Sequence, residues 1–389
     1  MCIRDRPAPG EPEGADPRRV VGVTGAQVVA DVPDRAIVGW IHRRLRVVLP
    51  AQRVGLRARP FHEDRFTQRQ HPLGVGGQAC GICLSDVHII DGSLPVRLPQ
   101  LTLGHEAAGL IAALGPHVPG WAVGDKVVMA GGRSCGRCRN CMRGHPNERC
   151  LAYEIMGAHF DGAWAEYVVV PYQALSLVPD HVPFEQAAIL ADAVSTPYAG
   201  LVDRAALRAG ESVGLWGIGG LGVHAVQVAR MVGAAPIIAI DPLPAARERA
   251  LSFGADAAFH PTEDDVPAEV ARLTGGLMLD LTVDLFGSNA ALAQASRCTA
   301  RFGRTLMVGL SHEAIHLGPG AIFGLRSQSL LGHLGYRKEH LDQLVALVAS
   351  GRLDVSKSIS DVMSLEDVAH GVEQLTSKRG NPIRLLVAP

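Results

Sequence analysis

Cys135, Cys138, Cys141 and Cys150 fall within one short stretch, in the order C-x-x-C-x-x-C-x8-C. Structural zinc is tetrahedral and takes four Cys or His ligands. This spacing lets one tight turn present three sulfurs while Cys150 closes the shell. Gly136, Gly144 and the arginines nearby suit an exposed loop. An iron–sulfur cluster is the alternative for four thiolates. A second, mixed set precedes it: Cys83, then Gly104-His105-Glu106 some twenty residues later. Thiolate, imidazole and carboxylate suit a catalytic zinc, which keeps one position for water or substrate. Such a zinc is a Lewis acid that acidifies a bound hydroxyl. Ser85, two residues past Cys83, is placed to accept an alcohol proton, and His88 to pass it to solvent. The plainer alternative is that His105 and Glu106 only end a strand.

Gly217-Ile218-Gly219-Gly220-Leu221-Gly222 adds a third chemical element. It follows an apolar strand and opens a helix, the context a G-x-G-x-x-G needs. Gly217, Gly219, Gly220 and Gly222 allow a tight turn and bring a pyrophosphate onto the helix N-terminus. Asp241 ends the next strand, 24 residues after Gly217. Its carboxylate suits a ribose 2′-hydroxyl and repels a 2′-phosphate, so NAD is expected over NADP.

The elements that must position these groups are partly legible. Residues 107–114, 126–130 and 164–170 read as strands between turn signals such as Gly115-Pro116 and Gly124-Asp125. Helical pattern follows residue 183 through 199. Then 212–216 is a strand, 221–232 a helix and 236–240 a strand, with further strands at 279–283 and 305–308. Strands alternating with helices predict a doubly wound parallel sheet, giving an α/β chain with a β-rich first part. A helix at 339–350 and a strand at 383–387 close the pattern. Before Ala79 the chain is different. Residues 1–78 hold thirteen Arg and no Lys, and a strand at 20–29 and a strand or short helix at 37–49 are the only patterned stretches.

A chain of 389 residues allows two domains. Net charge is −1, so no general attraction to nucleic acid or anionic membrane is expected. No basic recognition helix follows the cysteine loop, which argues against a nucleic-acid zinc module. No apolar run approaches the ~20 residues that span a bilayer, and the start lacks the order of a signal peptide. A cytoplasmic location is expected, in which clustered C-x-x-C cysteines read as metal ligands.

Together these residues resemble the zinc-dependent, medium-chain alcohol dehydrogenase family, from about residue 79 to 389. The resemblance implies a GroES-like catalytic domain at 79–192 and a Rossmann NAD-binding domain at 193–334. It implies a return to the catalytic domain at 335–389, after an atypical segment at 1–78. It implies Cys83 and His105 as catalytic zinc ligands, with Glu106 a ligand or next to one, and Ser85 and His88 as a proton relay. Cys135, Cys138, Cys141 and Cys150 match the structural zinc site, with one extra residue before Cys150. The family's further ligand, often Cys, falls at Asp192. That residue either binds zinc, making the site harder and more anionic, or is only a charge at a helix N-terminus. Arg384 matches a tail arginine that approaches the cofactor pyrophosphate; otherwise it is a surface Arg.

Two departures stand out. Residues 1–78 do not resemble the strands that normally begin this family, which suggests a shifted reading frame or a wrongly assembled gene start. Gly131-Gly132 replaces a stretch that often carries bulk beside the substrate, so a roomier cavity is expected, with Trp164 as another wall. The implied reaction moves a hydride between an alcohol and NAD, giving an aldehyde or ketone. Alternatives are a zinc polyol or sugar dehydrogenase, or a nucleotide-binding product whose damaged barrel impairs catalysis. A zinc-free quinone or enoyl reductase would have no use for the cysteines. The partner is a small alcohol or carbonyl compound, with dimers or tetramers of the chain implied by the family.

Overall fold

A computed structural model describes residues 47–48 and 72–389, apart from 97, 99 and 146–148. The strand expected at 20–29 lies outside the described residues. So does the segment 37–49 except Val47–Val48, a short strand antiparallel to Gln100–Leu101. The proposed frame shift likewise concerns residues that are mostly outside them.

Two sheets position the site. The first is seven-stranded, and Pro72–Ile82 is its hub. That strand pairs antiparallel with Ala107–Leu114, Tyr167–Pro171 and the tail strand Arg384–Ala388. It begins seven residues before Ala79, where regular pattern was expected to start. The signal was hidden because glycines break the apolar alternation: Leu73, Val75 and Ala79 are buried, but Gly77 takes the buried position between Val75 and Ala79, and Gly74 and Gly76 stand on the other face. Gly77 has a packing reason, because a Cβ there would lie 3.0 Å from the Ala165 carbonyl oxygen, and Gly109 has a stronger one. A Cβ on Gly109 of the neighbouring strand would lie 2.1 Å from the Gly76 carbonyl oxygen.

The second sheet is parallel, with Val213–Trp216 at its centre. Ile237–Ile240 and then Ala257–Phe259 lie on one side. Leu279–Asp284, Thr299–Met307 and Ser329–Gly332 lie on the other. Chain order therefore reverses beside Val213–Trp216, and ligands of such sheets bind outside the strand ends at this reversal. The expected alternation of strand and helix is present, with boundaries moved by one or two residues in most cases. The larger differences are Thr299–Met307, which starts six residues early, and the helical run after Pro183, which extends to Arg204. That run includes two π-helical stretches, Leu190–Val194 and Ala199–Arg204. Apolar periodicity alone does not distinguish these wider turns from α-helix.

Candidate active site and metal clusters

Cys83 caps the short helix Leu84–Ile90, so its sulfur stands at the positive end of aligned peptide dipoles. The local fold is fixed by Asp86, a fully buried residue that the sequence reading did not single out. One carboxylate oxygen accepts the Cys83 N–H at 2.9 Å. The other accepts the Gly104 N–H at 3.2 Å and lies 3.3 Å from His105 Nδ1. Asp86 thereby turns His105 so that Nε2 faces Cys83, the arrangement that carboxylate–histidine–metal sites use. The available signal was an acid three residues after a cysteine that opens a helix.

Four segments converge here. His105 Nε2 lies 3.6 Å from Asp192 Oδ2 and 3.3 Å from Ser85 Oγ. Cys83 Sγ lies 3.5 Å from the same Asp192 oxygen. Cys83, His105, Glu106 and Asp192 each offer a donor atom, all within 4.8 Å of one another. Burial opposes a charge on His105, yet Asp86 and the hydrogen bond with Asp192 outweigh it and hold its pKa well above the ordinary value. A metal cation at this point must displace that proton. Burial would also raise the Asp192 carboxyl, but His105 and Arg384 hold it far below its usual range. The donor set is thus anionic and convergent, which suits a divalent cation.

Glu106 is fully buried and ion-paired to Arg384 Nη2 at 2.9 Å. Among the described residues neither Glu106 oxygen has a hydrogen-bond donor of good geometry, so capacity for a ligand remains. Burial pushes the Glu106 carboxyl up, against the pull of Arg384. Gly81 is the space that admits this carboxylate: a Cβ there would sit 2.1 Å from Glu106 Oε2. Arg384 is not a surface residue, being 4% exposed. Its Nη1 also stands 3.2 Å from where a Gly220 Cβ would be. One guanidinium therefore touches both the mixed cluster and the glycine turn. The hydrogen bonds of Ser85 and His88 lead elsewhere from each other. Ser85 faces the cluster, while His88 Nδ1 lies 3.1 Å from Ser93 Oγ and 3.8 Å from Asp91 on the surface.

The glycine turn has the expected form. Gly217 adopts φ 93°, and a Cβ on Gly222 would lie 1.9 Å from the Gly217 carbonyl oxygen. Asp241 is buried, and both its oxygens already have backbone donors: Ile218 N at 2.7 Å and Leu243 N at 2.8 Å. Its part is therefore wider than the ribose contact expected of it. A carboxylate has about four acceptor sites, so it shapes the turn and keeps capacity for a diol.

The all-thiolate cluster is held by its own loop. The Cys135 amide donates to Cys150 Sγ at 3.2 Å, the Cys138 amide to Cys135 Sγ at 3.3 Å and the Ala152 amide to Cys150 Sγ at 3.3 Å. Backbone donors from Cys141 and Leu151 pull the Cys138 thiol down to about 6. The four sulfurs lie within 4.8 Å of one another.

The expectation of room at Gly131-Gly132 is corrected. A Cβ on Gly132 would fall 1.6 Å from Tyr153 Oη, and the Gly131 amide donates to Tyr336 Oη at 2.9 Å. Two tyrosines from distant segments take the volume that the glycines release. Trp164 is no pocket wall either. It is 2% exposed, packs on Gly104 and donates from Nε1 to the Gly81 carbonyl at 3.3 Å.

Comparison with known proteins gives this geometry a family. Residues 70–180 match the alcohol dehydrogenase GroES-like domain, and residues 220–350 match the zinc-binding dehydrogenase domain. An NDMA-dependent alcohol dehydrogenase of Amycolatopsis methanolica is 32% identical over 76% of this chain and 86% of its own length. The chain belongs to the zinc-dependent medium-chain dehydrogenase family. It is an oxidoreductase of that family, built from a GroES-like and a Rossmann-type domain. An L-threonine 3-dehydrogenase of Pyrococcus furiosus is 33% identical over 72% of this chain and 81% of its own. Among solved structures, an alcohol dehydrogenase from Thermus sp. ATN1 is 31% identical with a TM-score of 0.77, covering 83% of this chain and 94% of that one. No helix among the described residues is long and apolar enough to cross a membrane.

Proposed function

We propose that this dehydrogenase oxidises an alcohol to an aldehyde or ketone with NAD, and catalyses the reverse. The observation that carries the reading is the convergence of Cys83, His105, Glu106 and Asp192 next to Ser85, with Arg384 linking them to the glycine turn. Zinc held by Cys83, His105 and Asp192, with Glu106 at or beside it, would supply Lewis acidity toward a hydroxyl or carbonyl oxygen. NAD would supply the hydride acceptor. The remaining work belongs to the chain. Ser85 Oγ takes up the hydroxyl proton as it releases its own, and His88 must leave Ser93 and Asp91 to carry that proton to solvent. Asp86 keeps His105 turned toward the cluster. Gly217, Gly219, Gly220 and Gly222 admit the pyrophosphate, Arg384 lends it positive charge, and Asp241 receives the ribose.

Cys135, Cys138, Cys141 and Cys150 would hold a second zinc with a structural role, since four protein ligands leave no open position. The division 79–192, 193–334 and 335–389 follows the same reading, with the first part extended back to Pro72 by its strand. A homo-oligomer in the cytoplasm completes it, checked by sedimentation and fractionation.

A second substrate class, polyols or amino alcohols, is the alternative. The L-threonine dehydrogenase relative points to it. NAD reduction followed at 340 nm with simple alcohols, polyols and L-threonine tests both. Turnover of simple alcohols supports the first class, and turnover only of polar substrates supports the second. No reduction of NAD or NADP by any of them, with both zincs bound, ends the proposal.

A further inference from the structure

We infer that Thr196 is a positioning residue that makes Asp192 a one-oxygen metal ligand. The inference rests on the reading of Asp192 as a ligand. A thiolate at this position would offer one donor atom, whereas a carboxylate offers two and can rotate between them. Thr196 lies four residues on, 5% exposed, and its hydroxyl donates to Asp192 Oδ1 at 2.5 Å. That leaves Oδ2, the oxygen 3.5 Å from Cys83 Sγ and 3.6 Å from His105 Nε2, as the one that faces the cluster.

Local structure supports this division. Asp192 sits in the π-helical turn Leu190–Val194, a form that concentrates at functional sites. A helical threonine commonly bonds the carbonyl four residues back, but here the hydroxyl reaches the side chain four residues back. The β-branched side chain has few χ1 choices. Its backbone is pinned as well, because His333 Nε2 donates to the Thr196 carbonyl at 2.9 Å. The adjacent Ser195 hydroxyl is fully buried yet has no hydrogen-bond partner among the described residues. The alignment is therefore specific to Thr196, and Ser195 provides a control one residue away.

The test uses the full chain, stripped of metal and titrated with Co2+. Binding is read by thiolate–cobalt absorption and by competition with a chelator. Loss of an orienting partner typically weakens metal binding 10- to 100-fold, so T196V should show a loss of about that size at one of two sites. T196S should stay within about threefold of the parent, far from the loss expected when the donor is removed. S195A should match the parent. Parent-like affinity at both sites in T196V overturns the inference. D192N separates it from the reading beneath it. Unchanged cobalt binding in D192N removes Asp192 as a ligand and the inference with it. Weakened binding in D192N but not in T196V removes only the role of Thr196. If T196V also loses the all-thiolate site, the valine has disturbed the fold, and T196A, which deletes the same donor, decides by the same criterion.

Discussion

Cys135, Cys138, Cys141 and Cys150 belong to one loop, whereas Cys83 and Asp192 are 109 residues apart and need His105 and Glu106 from a third segment. The loop cluster is organised by amides of its own backbone. The mixed cluster is organised by buried charge, with Asp86 behind His105 and Arg384 behind Glu106. Four thiolates within a tight turn need little from the rest of the molecule. A site that must leave room for substrate relies on side chains brought from several segments and held by partners that are themselves buried. The difference predicts which changes act on chemistry and which on stability.

Removal of a mixed-cluster ligand should have the largest effect. Lewis-acid stabilisation is worth several kcal/mol, so C83A or H105A should lose roughly a thousandfold or more in kcat/KM. C141A should instead lower the melting temperature and release one zinc, while the mixed cluster keeps its own metal. Steady-state rates and thermal melts on the same variants separate the two behaviours. Equal catalytic loss without a stability change in C141A would break the contrast.

Arg384 comes next. R384L leaves Glu106 buried without its counter-charge, a change that typically costs about 3–5 kcal/mol. Urea unfolding of R384L and of the double variant with E106Q reads this directly. The double variant should recover part of the loss, because the stranded charge is gone.

His224 extends the comparison to the glycine turn. It is fully buried, with Nδ1 2.7 Å from the Gly220 carbonyl and Nε2 2.9 Å from Ser358 Oγ. Burial, with the nearby Arg384 charge, lowers its pKa to about 3. The unfolded chain takes up this proton near pH 6.5 and the folded chain does not. The stability it permits is complete above pH 6.5 and falls as pH drops toward 3, by up to about 1.4 kcal/mol per unit. Urea unfolding between pH 6.5 and 4.5 should show a shallower slope in H224Q than in the parent. Identical slopes would remove His224 from the account.

The smallest expected effect is on cofactor choice. D241A removes the repulsion of a 2′-phosphate and should move the NAD/NADP preference by about tenfold toward NADP, the equivalent of ~1.4 kcal/mol. It also frees the Ile218 and Leu243 amides, so KM for both cofactors should rise. An unchanged preference ratio would leave Asp241 as a turn-shaping residue alone.

Much of this was readable from the chain. The loop cysteines and the glycine turn are local patterns whose spacing is their geometry, and the parallel sheet follows from strands alternating with helices. Asp86 and Thr196 were not singled out, because their importance lies in what their side chains face in space. Tyr153 and Tyr336 show the same limit more sharply. Gly131-Gly132 suggested an open pocket, and only tertiary structure brings two phenols from elsewhere into that volume. The strand from Pro72 was missed because glycines interrupt its apolar alternation. Arg384 was matched to the pyrophosphate, and its ion pair with Glu106 was legible only once the tail strand paired with Pro72–Ile82.

The central claim is that two zinc sites form and that the mixed one serves the chemistry. Zinc per chain, measured by mass spectrometry of the dialysed parent and of C83A, tests it most directly. Two zincs in the parent and one in C83A, with alcohol-dependent NAD reduction lost in step, is the predicted result. The same zinc content in both proteins would contradict it.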